Sequence, residues 1–250
     1  MVRRDELESK IKEKVLLVGD AGSGKTYTAV QVAKLVAENG KKVVLIDPEY
    51  GAERELELLP DAVLENINLK ITPRWEMLKT AIESNDDCFL KILDGVTEVF
   101  ESVKHYVEQR ILAQGKYVVG NASIEITDRE TFVLPYVMYP KVYSEVQATC
   151  RKLVEQKPHM ICTAHPFGDS ETRKRLEESV YRSFDTILSL KVQSAALPVP
   201  SVSYMALCRK HRGKSLTGLS MVKDHVGQLE SLFKKRMGIE EVKEEVKSNV

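Results

Sequence analysis

Short apolar runs alternate with helical stripes along most of this chain. Val15-Leu16-Leu17-Val18 is a continuous apolar run ending at Gly19, and Ala29, Val32, Ala33, Val36 and Ala37 then recur at helical spacing. Gly40 stands where a helix C-cap belongs, before a second unbroken run, Val43-Val44-Leu45-Ile46. Residues 52–74 are irregular, with a short strand expected at 67–71. Trp75, Leu78, Ala81 and Ile82 form the next helical stripe. Residues 89–94 read as a strand in which Lys91 breaks the apolar run and suggests partial uncovering, and Val99, Phe100, Val103, Tyr106, Val107 and Ile111 predict a helix after it.

Residues 114–138 read as an insertion on a loop, with a hairpin of 117–119 and 124–127 around Gly120-Asn121. Val142, Val146, Cys150 and Leu153 return to helical period, and residues 160–164 form a strand ending at His165. Residues 166–183 are polar and dense in charge, so a mobile loop is expected. Strands follow at 185–190 and 202–207, separated by Pro198 and Pro200. Val226, Leu229, Leu232 and Phe233, then Ile239, Val242 and Val246, predict two short amphipathic helices or one kinked at Gly238. The organisation read from this is a charged lead-in helix and docking arm (1–13), a core (14–225) and a helical tail (226–250).

Buried strands alternating with helices predict an α/β fold, a mainly parallel sheet covered by helices on both faces. Right-handed crossovers bring the ends of such strands to one edge. That edge would gather residues 19–26, 47–49, Asp94 and His165.

Composition adds bounds. A chain of 250 residues suits one sizeable domain. Its 37 basic and 37 acidic residues cancel, so no overall field favours nucleic acid or membrane, and such binding must be local. No apolar run approaches the roughly 20 residues that span a bilayer, and the first residues lack the apolar stretch of a secretion signal. A cytoplasmic protein without membrane contact is expected. Cys88, Cys150, Cys162 and Cys208 read as buried free thiols; Cys162 and His165 have a metal-like spacing but no second ligand pair.

The chemistry begins at Gly19-Asp20-Ala21-Gly22-Ser23-Gly24-Lys25-Thr26, which fits G-x-x-x-x-G-K-[ST] between a strand and a helix. Backbone N–H groups at a helix start favour phosphate, Lys25 supplies a point charge, and the Thr26 hydroxyl suits Mg²⁺. ATP and Mg²⁺ are the expected ligands. Asp94 closes an apolar strand as a second metal-holding oxygen. Glu49 is the candidate general base, with Asp47 orienting it or assisting the metal. His165 is a candidate reporter of the γ-phosphate. Arg209-Lys210-His211-Arg212-Gly213-Lys214 is the densest basic cluster, readable as a solvated hairpin tip, a nucleic-acid contact, or cationic fingers reaching a neighbouring subunit's nucleotide.

Together these residues resemble the RecA-like ATPases, a group including RecA, archaeal RadA and RadB, KaiC and phage annealing-type ATPases, over residues 14–225. Leu45-Ile46-Asp47-Pro48-Glu49 is similar to the family's D-x-E, which implies that Glu49 is the catalytic base. Phe89 to Asp94 resembles its Walker B strand, and Thr163-Ala164-His165 its polar sensor on the strand between Walker A and Walker B. Lys210-His211-Arg212 is similar to the K-x-R pair that KaiC-like members insert into the adjacent site, which implies a homo-oligomer. The chain departs from the recombinases in lacking a recognisable N-terminal helix-hairpin-helix domain and a Phe-x-x-Ala motif, so a compact paralogue or viral-type accessory ATPase fits better. The resemblance implies a Mg-dependent ATPase of DNA recombination or repair, binding single-stranded DNA through loops at 166–183 and 191–201. Its alternatives are a KaiC-like regulatory ATPase that switches a protein partner without DNA, and a small-molecule kinase.

Overall fold

The apolar runs line up as one eight-stranded sheet. In this computed structural model, which describes residues 12–166, 171–195, 201–211, 214–222 and 224–239, the elements in chain order are β1 (Lys14–Val18), α1 (Lys25–Glu38), β2 (Val43–Asp47), α2 (Glu53–Leu56), α3 (Asp61–Leu64), β3 (Ile67–Ile71), α4 (Trp75–Glu83), β4 (Leu90–Asp94), α5 (Val96–Gln114), β5 (Lys116–Val119), β6 (Ala122–Glu125), a 3₁₀ turn (Tyr136–Met138), α6 (Tyr139–Val154), β7 (His159–Ala164), α7 (Glu171–Arg182), β8 (Thr186–Ala195), β9 (Ser201–His211), β10 (Lys214–Val222) and α8 (His225–Met237). The sheet order is β10-β9-β8-β1-β7-β4-β2-β3. From β8 to β3 every pairing is parallel, while β8–β9 and β9–β10 are antiparallel.

The central strands are mostly apolar because they are covered twice. Side chains alternate across the sheet at period 2, so Leu16, Val18, Val44, Ile46, Leu93 and Cys162 join one core with α4, α5, α6 and the end of α7. Val15, Leu17, Val43, Leu45, Ile92 and Ile161 join the other, with α1, α3 and α8. The expected α/β layering is therefore present. No helix among the described residues is long and apolar enough to cross a membrane.

The order places β1 at the centre, flanked by β7 and β8, with β7 between β1 and β4. The parallel strands end together along an upper edge, where residues 19–26 follow β1, Asp47 ends β2, Asp94 ends β4 and His165 follows β7.

Several expectations need correction. Residues 171–182 form the helix α7, where a mobile loop was expected. The dense charge masked a stripe at i, i+4 and i+8, Leu176, Val180 and Phe184; Val180 and Phe184 are buried. Lys91 does not mark an uncovered strand: it is 0% exposed. Its ammonium donates to Ser84 O (2.7 Å), Gln156 Oε1 (2.8 Å) and Ile82 O (3.3 Å), and pairs with Asp86 at 3.2 Å. The strand expected at 202–207 is longer: β9 runs through Lys210 and His211 of the basic cluster and pairs with β10. The hairpin in the insertion turns at Gly120-Asn121 as expected, but its second strand, β6, begins two residues earlier than expected, directly after that turn. Cys150, Cys162 and Cys208 are buried free thiols, and Cys88 is half-buried. The lead-in helix falls on residues 1–11, outside the described residues.

The tail pattern yields α8, which ends at Gly238 in the left-handed region; the second stripe, beyond Ile239, lies outside the described residues. Leu229 and Phe233 bury α8 in the core it shares with α1. Its last turn is tied to the lower edge by an ion pair of Arg236 with Glu13, both almost fully buried.

Candidate functional site

The loop after β1 is tight for steric reasons. Gly19 N–H donates to Ala164 O at 3.1 Å, and a Cβ on Gly19 would lie 2.4 Å from Ser23 Oγ and 2.6 Å from Leu190 O. Only glycine fits between the loop and β8. Gly24 then caps α1, whose first residues are Lys25 and Thr26.

Lys25 folds back on this loop, donating to Gly19 O and Asp20 O, each at 2.8 Å. Two of its three donors are thereby used. Burial lowers its pKa, and the negative fields of Asp94, Glu49 and Asp20 oppose that. The Ser23 hydroxyl is buried and makes no hydrogen bond. A loop with a spare ammonium donor and an unspent buried hydroxyl fits a phosphate group.

Asp94 is held from two sides. Thr163 Oγ1 donates to its Oδ1 at 2.6 Å and Thr26 Oγ1 at 3.2 Å. The first contact follows from register, since Thr163 is the residue opposite Asp94 in the β4–β7 pairing. Burial raises the Asp94 pKa, against both threonine hydrogen bonds. A hydroxyl and a carboxylate this close are hard oxygen donors, so Thr26 and Asp94 fit Mg²⁺.

Asp47 serves the backbone. It is fully buried, and its Oδ1 and Oδ2 accept from Glu49 N (2.9 Å) and Ala52 N (2.8 Å). It therefore sets the course of the loop that presents Glu49, rather than facing a metal. Glu49 sits at the solvent rim, with Oε1 over Gly95: a Cβ there would lie 3.0 Å from that oxygen. Gly95 also has φ +122, a backbone state that suits glycine. Partial desolvation, reinforced by Glu98, Asp94 and Asp47, pushes the Glu49 carboxyl up to about 7.

Glu98, in the first turn of α5, is a residue that the sequence reading did not single out. Its side chain lies against Gly95 and hydrogen-bonds Glu49. Its own pKa is raised by burial and by Glu101, with the Glu49 hydrogen bond opposing. His165 is half-buried, and its backbone is clamped by Thr97: His165 N–H donates to Thr97 Oγ1 (2.9 Å), whose hydroxyl donates to His165 O (3.2 Å). Burial, with the charge of Lys25, lowers the imidazole pKa, so the ring is a neutral donor and acceptor near pH 7.

Lys210 is not brought to this edge in its own chain. It pairs with Ile187, which pairs with Leu16, three residues before Gly19 and two strands away. Arg212 lies outside the described residues.

Beside the phosphate loop opens a cleft of about 670 Å³, lined by residues 22–28, Glu55, Asp224, His225 and Val226. Sequence reasoning gave none of the last three a place in the site. His225 is buried, with Nε2 3.1 Å from Thr28 Oγ1.

Comparison with known proteins bears on the fold and on residues 5–117. The family model described as PhoH-like protein matches residues 5–117, the stretch that carries the phosphate loop, Glu49 and Asp94. A KaiC-like protein from Pyrococcus horikoshii superposes with a TM-score of 0.50 at 16% identity, over 84% of each chain. The two share a fold, a mainly parallel sheet with helices on both faces. The flagellar accessory protein FlaH from Methanocaldococcus jannaschii aligns over 89% of this chain and 97% of its own, at 11% identity and a TM-score of 0.48. No curated protein matches the chain in sequence.

Proposed function

We propose that this protein binds ATP on residues 19–26 and hydrolyses it, with Glu49 as general base. The observation that carries this reading is the meeting of Lys25, Thr26, Asp94 and Glu49 at one sheet edge, where Glu49 is poised to exchange a proton near pH 7. Mg²⁺ held by Thr26 and Asp94 would neutralise charge on the phosphate oxygens. Lys25 adds positive charge to the β- and γ-phosphates. Glu49 takes a proton from a water molecule as its oxygen bonds to the γ-phosphorus. The bond from that phosphorus to the β,γ-bridging oxygen breaks, giving ADP and inorganic phosphate. Glu98 accepts a hydrogen bond from protonated Glu49, and His165 beside the site donates to, or accepts from, the reacting phosphate.

In its finer form the proposal has hydrolysis serve DNA recombination or repair, with single-stranded DNA bound along residues 166–183 and 191–201. Lys210 and Arg212 act in a neighbouring subunit of a homo-oligomer. A KaiC-like regulatory role with a protein partner is the second reading, favoured by exposed apolar residues at the head of α6. Val133 is 73% exposed and Val137 50%, and nearby Tyr143 stacks on Phe100, at 5.8 Å, near the start of α5. An apolar patch suits a protein better than a phosphate backbone.

ATP turnover with and without single-stranded DNA, across a salt series, tests the two. Stimulation that fades steeply with salt supports the DNA reading, and a flat response rejects it. Mixing Arg212→Ala with Lys25→Ala protein should restore part of the turnover if the cations act between subunits, and no restoration at any ratio rejects that role.

A further inference from the structure

The cleft is larger than a triphosphate alone requires, and its far wall comes from the C-terminal helix. Residues 22–28 form one side, and the other side is Glu55 of α2 with Asp224, His225 and Val226 at the head of α8. The cleft runs from Ser23–Thr26 past Tyr27 and Thr28 to the head of α8, so phosphates at the loop would leave room there for the rest of a nucleotide.

The head of α8 is held there by specific bonds. Thr28 Oγ1 donates its only proton to Gly24 O at 2.8 Å. The 3.1 Å contact with His225 therefore has Nε2–H donating to the threonine oxygen. Burial lowers the His225 pKa against the charge of Asp224, so the ring is neutral, with the proton on Nε2. Asp224 occupies the left-handed region at φ 49, a costly conformation for a non-glycine residue, and accepts from Gly227 N at 3.1 Å. A Cβ on Gly227 would fall 2.2 Å from the Asp224 carboxylate. Strain at a cleft wall, maintained by an anchored helix, marks a positioned surface. The anchors are Phe233, packed edge-on against His159 at 5.7 Å, and Arg236 on Glu13.

We propose that the head of α8 forms the nucleoside subsite. The imidazole of His225 and the apolar face of Val226 meet the base, Tyr27 lies opposite, and Glu55 accepts a hydrogen bond from a sugar hydroxyl or base amino group. The C-terminal helix is then part of the nucleotide site, and an occupied site clamps it to α1. This rests on the phosphate-loop reading above.

The test compares ATP with inorganic tripolyphosphate, each with Mg²⁺, by calorimetry. Val226→Asp and Glu55→Lys, both at half-exposed positions, and His225→Ala should each lose about ten-fold or more in ATP affinity, equivalent to about 1.4 kcal/mol, and within two-fold for tripolyphosphate. Lys25→Ala should lose both. In the wild type, ATP should slow amide hydrogen exchange in α8, and tripolyphosphate should not. Equal loss of the two ligands in the α8 variants, no loss of ATP, or equal protection of α8 overturns the subsite alone. A wild type that binds neither ligand overturns the phosphate loop and the subsite together.

Discussion

Lys25 and Lys91 are two buried lysines in one sheet architecture, placed at opposite ends of the strands. Lys91 enters the lower half of β4 and meets a complete set of partners: an ion pair with Asp86, two carbonyls and the Gln156 amide oxygen. Lys25 opens α1 at the upper edge and finds only the carbonyls of its own loop, with carboxylates nearby acting through space. Burial lowers the pKa of both. The difference lies in what remains unspent. A fully paired ammonium holds a fold together, whereas one with a spare donor beside an unbonded serine hydroxyl is arranged for a ligand.

The sharpest way to separate the two is to remove each. Lys91→Ala should take a buried hydrogen-bond donor from Ser84 O and Gln156, while Asp86 keeps Lys70, at a cost of about 1–3 kcal/mol, and lower the thermal midpoint by on the order of 5 °C. Lys25→Ala should leave the midpoint near wild type and abolish detectable ATP binding. A Lys25 variant as unstable as the Lys91 variant would erase the distinction. Next in size, Glu49→Gln should bind ATP normally yet turn it over about 100-fold more slowly in single-turnover assays. Turnover within a few-fold of wild type would remove Glu49 as the base.

The smallest expected effect concerns pH. Glu49 must be ionised to accept a proton, and its pKa in the free protein is raised to about 7, so kcat/KM should rise with pH up to that value and then level. Glu98→Gln removes a negative neighbour, which lowers the Glu49 pKa and should move this rise to lower pH. A limb that stays in place would mean that Glu98 does not bear on the proton of Glu49.

Most strands were legible because a strand covered on both faces announces itself as an unbroken apolar run. Residues 67–71 form β3 with the expected bounds, and β1, β2, β4 and β7 differ from expectation by a residue. The helix α7 was not legible, since one apolar residue per turn is hard to see among so many charges. Lys91 misled for a related reason: a charged residue in a strand reads as exposure, and only the packing of Asp86 and Gln156 against it reveals that its charge is met inside. The candidate site divides in the same way. Gly19 to Thr26, Glu49 and Asp94 carry their chemistry in local pattern, while Glu98 and His225 carry none that is visible at short range.

The sequence by itself determined the alternating α/β architecture, the phosphate loop and the strand-end acids, because each depends on residues close together in the chain. The tertiary structure decided the rest. It set Thr163 against Asp94 through the register of β7, turned Asp47 into a clasp for the Glu49 loop, laid Glu98 beside Glu49 over a glycine, and carried Lys210 away from its own phosphate loop. It also brought His225 to Thr28 across 197 residues of sequence. Such pairings depend on how strands order and helices pack, which sum over the whole core and leave no mark in any one segment.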